Sequence, residues 1–360
     1  MTMRIPRPFA LALALGLVLF AVRGATADEK DINPGHPIRA EHWNGPFNPG
    51  TSTLVGSYTS VIRRGPGDFV AFNNSVDGGP EGGLVMWTGK NPTQFTPAGV
   101  VFTHKMINDV FGKDGELFPK RRLTRPYISW DAREGFVGII HVCADYGPVD
   151  GRVYPALVRS KTGAAGTWTY HGKLKGEIWD LYGDQSNQPR WADGGGFFYR
   201  PEFPAEVNTR QPLANRYVFF SNAYPGPDCM AILYSGDGAT WRFHRDDKGE
   251  IVNLIPMLKG KTLIFPHVVQ MNDQGWTMFL SELWPPVAIW RLWSPDGLAW
   301  NLFGQQPEVT KPDDLMIKNL NGWYDPEAKV LHGYLSVWQQ QPDGTLNYDK
   351  FHAVTEQVRP

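Results

Sequence analysis

Glu282 comes one serine after an apolar strand-like run, Trp276 to Leu280, and precedes Leu283-Trp284-Pro285-Pro286. A carboxylate beside an indole suits sugar chemistry, because the acid handles a proton while the ring covers the apolar face of a pyranose. Asp145 holds the matching place after the run Phe136 to Val142, and Asp77 and Asp228 follow other apolar runs in the same way. Glu41, Glu116, Asp180 and Asp184 stand in the loops that lead into strands. Cleaving a glycosidic bond needs two carboxyl groups, roughly 5 to 10 Å apart, one kept protonated by its surroundings. Glu282, as general acid, and Asp145 are the chosen pair.

The basic candidates imply a second feature of the same site. Arg125 and Arg190 offer forked donors that match a planar oxyanion, which points to a uronic acid or a sulfated unit. The alternative is that they tie strands together through carbonyls or buried acids. His267, after Phe265-Pro266, is placed to move a proton near neutral pH; a packed, hydrogen-bonded histidine is its alternative. Tyr127, Trp284, Lys318 and Asn319 complete the expected substrate-binding set. The other histidines (His36, His42, His104, His141 and His332 among them) show no His-x-x-x-His spacing, and Cys143 and Cys229 are too far apart in sequence for a Cys-x-x-Cys site. No cofactor is indicated, and an ion in a central channel stays open. Gly194-Gly195-Gly196 reads as a turn, without the helix that a phosphate loop requires.

The elements that must position these residues are announced by a repeated motif, Ser-x-Asp-Gly-x-x-Trp. It runs Ser235 to Trp241 and again Ser294 to Trp300. Asp-Gly makes a hairpin turn, and the Trp lands on the returning strand. Weaker relatives occur at Ser160 to Trp168, at Trp87 to Phe95 and around Pro342-Asp343-Gly344. Before each hairpin come two further strand candidates joined by a polar turn, as at Asp131, Asp193, Asp273 and Asp325. These aspartates read as turn-formers. Repetition at about 60 to 70 residues predicts an all-β, five-bladed β-propeller with four antiparallel strands per blade. The propeller would span 51–360, after an N-terminal arm, 28–50, that closes the ring or reaches a partner. Two β-sandwiches are the alternative. If the innermost strands begin at one channel mouth, that mouth carries Thr51 to Thr53, Arg125, Arg190, His267 and Lys318-Asn319.

Composition agrees with a β-rich globular chain. Of 360 residues, 42% are hydrophobic and 20% charged, with 39 Gly, 30 Pro and 14 Trp. Arg4 and Arg7 precede the apolar stretch Phe9 to Val22, and Ala25-Thr26-Ala27 follows, which predicts an export signal at 1–27 with cleavage near Ala27. No later run has the length of a membrane span. Removing the leader's three Arg leaves 32 basic against 36 acidic residues, a net charge of −4. That balance argues against nucleic-acid binding, which needs a basic face. Export permits a disulfide between Cys143 and Cys229, and two buried thiols are equally compatible. The location is therefore periplasmic or extracellular; the oligomeric state is not fixed by the sequence.

The Ser-x-Asp-Gly-x-x-Trp hairpins, the blade count and the leader together resemble the five-bladed propellers of glycoside hydrolases, the arabinanase and xylosidase family 43 and its relatives. The hairpins also resemble the Asp box of sialidases, which has one more residue between Asp and Gly. The resemblance covers roughly residues 45 to 355 and implies a saccharide substrate bound at the channel mouth. It departs at the strand starts: where the family places two Asp and one Glu, this chain has Arg125, Arg190, His267 and Lys318. The acids must come from neighbouring loops, or the chemistry differs. The expectation is therefore an exported glycosidase acting on a short saccharide, acidic ones included. A polysaccharide lyase working on a uronate, or a non-catalytic glycan- or protein-binding propeller, are the alternatives.

Overall fold

The computed structural model describes residues 47–49, 52–75, 82–106, 121–144, 153–177, 194–222, 229–261, 263–282, 288–310, 316–340 and 346–355. The leader, most of the arm, Asp145, Arg190 and Trp284 lie outside the described residues. Among the described residues, twenty-two strands form five sheets arranged as a β-propeller. Sheet I contains β2 (Ser57–Gly65), β3 (Asp68–Asn74), β4 (Gly83–Gly89) and β5 (Phe95–Thr103). Sheet II contains β6 (Arg121–Asp131), β7 (Gly135–Ala144), β8 (Val153–Ser160) and β9 (Trp168–Lys173). Sheet III contains β11 (Gly194–Tyr199), β12 (Tyr217–Asn222), β13 (Met230–Ser235) and β14 (Thr240–Phe243), edged by β10 (Lys175–Gly176). Sheet IV contains β15 (Leu263–Gln270), β16 (Trp276–Glu282) and β17 (Ala288–Ser294), edged by β18 (Asn301–Leu302) and β19 (Val309–Thr310). Sheet V contains β20 (Met316–Asp325), β21 (Val330–Gln340) and β22 (Leu346–Thr355), and its outer strand is β1 (Phe47–Pro49). Sheets III and IV thus exceed the expected four strands.

The innermost strands β2, β6, β11, β15 and β20 adjoin one another in that order, and β20 returns to β2. The strands are apolar on both faces because both faces are covered: β12 and β13 are buried at every position. Sheet III differs from the sequence reading. Gly194 to Gly196 is not a turn but the start of the innermost strand, and residues 200–216 form the connection to β12. The glycines answer a packing demand from afar. A Cβ at Gly195 would stand 2.5 Å from Pro266, and one at Gly196 would stand 2.8 Å from Val268, both on sheet IV.

The hairpin motifs have one wiring. Asp237 Oδ1 accepts from the N–H groups of Ala239 and Thr240, both at 2.8 Å, and Asp296 Oδ1 does the same for Leu298 and Ala299. Ser235 and Ser294 donate to their Asp and accept from Gly238 and Gly297. Trp241 and Trp300 donate to the carbonyls of those same glycines at 2.9 Å. The weaker relative repeats part of this: Gly163 N–H donates to Ser160, and Trp168 donates to the Gly163 carbonyl. Asp131 and Asp325 accept N–H groups in their own turns. All of these aspartates are turn-formers.

An arginine stands at each of the five sheet junctions. Arg64 lies over Phe136 between sheets I and II, and Arg159 over Tyr199 and Tyr217 between II and III. Arg200 lies over Trp276 between III and IV. Arg291 lies over Phe47 between IV and V, while Arg63 pairs with Asp325 and Glu327 between V and I. At these five places an arginine ties one sheet to the next.

Candidate functional site

Each innermost strand carries a register slip near its start. The slips fall between Ser57 and Ser60, Thr124 and Tyr127, Gly194 and Gly196, Ile264 and His267, and Ile317 and Asn319. A bulge pushes extra residues out of the ladder and re-aims their side chains. The extra residues include Tyr58, Arg125, Gly195, Phe265 and Lys318. Tyr58, Arg125 and Phe265 sit at φ of 56°, 47° and 53°, a left-handed conformation that non-glycine residues adopt at a cost of about 1–3 kcal/mol each. Pro126 and Pro266 follow two of them and disfavour the right-handed helical alternative.

The three strained side chains, from sheets I, II and IV, meet at one point. The Arg125 guanidinium carbon is 5.3 Å from the centroid of the Tyr58 ring and 5.3 Å from that of Phe265. The two rings are themselves 5.3 Å apart and tilted by 68°. A cation held between two π faces is favourable, more so when little water reaches it, and Arg125 is 6% exposed. Lys318 occupies the corresponding bulge of sheet V; its side chain lies outside the described residues.

Just inside this cluster runs a buried polar chain. Thr59 N–H and Asn319 Nδ2 donate to Asn321 Oδ1, Asn321 Nδ2 donates to His267 Nδ1, and His267 Nε2 donates to the Gly322 carbonyl at 2.9 Å. Both ring nitrogens of His267 are therefore used, and sheets I, IV and V are joined. Burial lowers the His267 pKa to about 4, against a partial rise from the Gly322 bond. This corrects the expectation of an acid–base catalyst: His267 is the packed, hydrogen-bonded histidine. Asn319 is 1% exposed and belongs to the same chain, and Tyr127 is packed against His141 and Phe219 between sheets II and III. Neither is presented to a substrate. His141, behind Arg125, is fully buried, and neither ring nitrogen has a hydrogen-bond partner among the described residues. Burial first, then the Arg125 charge, pushes its pKa well below the ordinary value, so it is neutral.

Glu282 ends β16, opposite Leu263, and so stands at the same end as the bulges. Its Oε1 accepts from Lys261 Nζ at 2.8 Å and its Oε2 from Trp290 Nε1 at 2.7 Å, while Lys261 lies 4.7 Å from the Trp290 ring centroid. Burial alone would raise the Glu282 pKa, but the bonds from Lys261 and Trp290 and the Lys261 charge outweigh it and hold the pKa below the usual range. A carboxylate so held is ionised near neutrality. It fits a base, a nucleophile or a hydroxyl acceptor, and it corrects the expectation of a general acid. The sequence offered Trp284 as the indole beside Glu282; among the described residues the indole is Trp290, brought from the next strand by pairing. Tyr58 gave no sequence signal, for nothing local marks a bulge there, whereas Arg125-Pro126 and Phe265-Pro266 did. Among the described residues, no three of His, Cys, Asp and Glu gather closely enough to hold a metal ion.

No family model matches the chain, and no curated protein matches it. Solved structures do. A family 43 β-1,3-galactosidase bound to galactodeoxynojirimycin superposes with a TM-score of 0.53 at 10% identity, over 84% of this chain and 96% of that one. The arabinanase of Bacillus subtilis gives 0.51 at 10% identity, over 85% and 95%. An N-acetylgalactosamine deacetylase from F. plautii, in complex with a blood group B trisaccharide, gives 0.53 at 11% identity, over 86% and 95%. At such identities the likeness is one of fold: the chain is a β-propeller of the kind found in family 43 glycosidases.

Proposed function

We propose that this protein is an exported glycosidase-like hydrolase that binds an oligosaccharide at the mouth where the innermost strands begin. The observation that carries the reading is the Glu282–Lys261–Trp290 cluster, an ionised carboxylate with an indole donor, at the same end of the propeller as the Tyr58–Arg125–Phe265 centre. The shared fold with carbohydrate enzymes supports it. Each of the five sheets is one blade of a five-bladed propeller in this reading, and the Arg4-to-Ala27 leader directs export. Glu282 serves as the base or nucleophile. Asp145, the next residue in sequence after β7, is the sequence's candidate for the proton donor. Glu282→Gln should lower kcat at least about 100-fold with the melting temperature retained. Full activity in that variant on a cleaved glycan would remove Glu282 from the chemistry.

One observation favours a second reading. Tyr58 packs its ring 5.3 Å from the Arg125 guanidinium at that end, a phenol and a cation together, residue types that suit abstraction of a proton beside a uronate carboxylate. A lyase of that kind leaves an unsaturated product that absorbs in the ultraviolet, whereas a hydrolase leaves only a new reducing end. Assaying both on the same digest separates the two.

A further inference from the structure

We infer that Trp290 is a positioning residue for Glu282, its indole N–H fixing the direction in which the carboxylate meets a bound glycoside; this rests on the hydrolase reading above. The strand register brings the two together. Leu280 is the partner of Trp290 across β16 and β17, and Glu282, two residues on, projects from the same face as Leu280. The indole Nε1 donates to Oε2 at 2.7 Å, while Lys261 Nζ donates to Oε1 at 2.8 Å. Two donors, one on each oxygen, fix the plane of the carboxylate as well as its place. Each oxygen keeps further acceptor capacity, and the Glu282 side chain is 22% exposed, so the held carboxylate can still be reached.

The two donors are not equivalent. Trp290 lies within β17, between the buried Ile289 and Arg291, and its ring packs against the core shared by sheets III and IV. Lys261 follows the short turn Pro256–Leu258 on the connection into sheet IV, is one-third exposed, and reaches Glu282 on a flexible four-carbon stem. The ammonium therefore supplies charge, and the indole, a neutral donor on a rigid strand, supplies direction. Donors on strands hold a reacting group more tightly than donors on loops, and small displacements of such a group cost large factors in rate. Lys261 also lies 4.7 Å from the Trp290 ring centroid, so the indole seats the lysine too.

The test compares the wild type, Trp290→Phe, Glu282→Gln and the double variant on p-nitrophenyl β-galactoside, β-xyloside and α-arabinofuranoside. Trp290→Phe keeps a ring for Lys261 to cover and removes the N–H. It should lower kcat about tenfold or more, leave KM within about twofold, and move the acid limb of the pH–rate profile to higher pH. Because that loss runs through the carboxylate, Trp290→Phe should cost nothing further in the Glu282→Gln background; a merely structural role would cost the same in both. The bond itself is read by nuclear magnetic resonance without turnover. In protein carrying isotope-labelled tryptophan, one indole N–H resonance should titrate with a midpoint below the usual carboxylate range, and that titration should vanish in Glu282→Gln. This arm does not depend on the folding of Trp290→Phe, which thermal melting checks. Unchanged kcat and acid limb in a folded Trp290→Phe, equal costs in both backgrounds, or the absence of an indole that titrates with Glu282 overturns the inference and leaves the hydrolase reading standing. Full activity of Glu282→Gln, or cleavage of none of the glycosides by the wild type, removes the hydrolase reading and the inference with it.

Discussion

At Glu282 the protonation state is set by two neighbours, Lys261 and Trp290. Lys261 bonds to Oε1 and adds its charge, so Lys261→Met should raise the Glu282 pKa. If the ionised carboxylate is needed for turnover, the acid limb of the pH–rate profile should then move to higher pH; an unmoved limb on an active variant would separate Glu282 from the titration. The buried histidines act on stability instead. His267 and His332 have folded pKa values of about 4, through burial, against about 6.5 in an unfolded chain. The unfolded state therefore binds more protons between those values. Stability is fully present above about pH 6.5 and falls as the pH drops towards 4, by about 1.4 kcal/mol per pH unit for each histidine. Urea midpoints at pH 7 and pH 5 measure the loss, and His267→Gln should flatten the slope. At this scale the sequence was half legible. The residue types at Arg125 and Glu282 were visible, but the roles of His267 and Tyr127 depend on sheets that touch them from elsewhere in the chain.

The hairpins are the element that the sequence states most clearly, because their chemistry is local: each Asp bonds N–H groups two and three residues ahead. Asp237→Ala should cost about 1–2 kcal/mol while leaving kcat on any cleaved glycan unchanged. Gly238→Ala should cost as much or more, since its φ is 77° and the new Cβ would stand 3.0 Å from the Tyr217 ring. Chemical denaturation of both variants checks the order. The turn glycines also press on the preceding sheet: Gly163 on Phe72, Gly238 on Leu157 and Gly297 on Leu213 of the sheet III connection. What the sequence hid was the start of sheet III. Three consecutive glycines carry a strong local turn signal, and only the close approach of Phe219, Pro266 and Val268 explains them as strand.

Over the whole molecule the ring closes at β1, which pairs with β22 through Phe47 to Thr355, Asn48 to Val354 and Pro49 to Ala353. Phe47 is buried against Phe279 and Arg291, and Arg291 lies beside the equally buried Glu308. Phe47→Ala should destabilise the fold by about 3–5 kcal/mol. Glu308→Leu should cost a similar amount, because it leaves the Arg291 charge buried without its counter-ion, whereas replacing both with apolar residues should recover most of that loss. Unfolding midpoints of the single and double variants decide this. Of the N-terminal arm expected from the sequence, Phe47–Pro49 are described and pair with β22; the buried ion pair beside Phe47 gave no sequence signal, since Arg291 and Glu308 come together only through sheet IV's edge strands.

The pairing of β1 with β22 also sets the order of events in time. Phe47 to Pro49 is the earliest described strand to be synthesised, yet the strand that receives it is the latest. Every sheet between can form while the chain is still growing, but the ring stays open until β22 is made. A ribosome paused before β22 would therefore hold four closed-off sheets and an unpaired opening segment. Completion of the circle becomes a single late step that joins the two ends of the fold, and its rate should fall when Phe47 is truncated even under conditions where the sheets themselves form at normal speed.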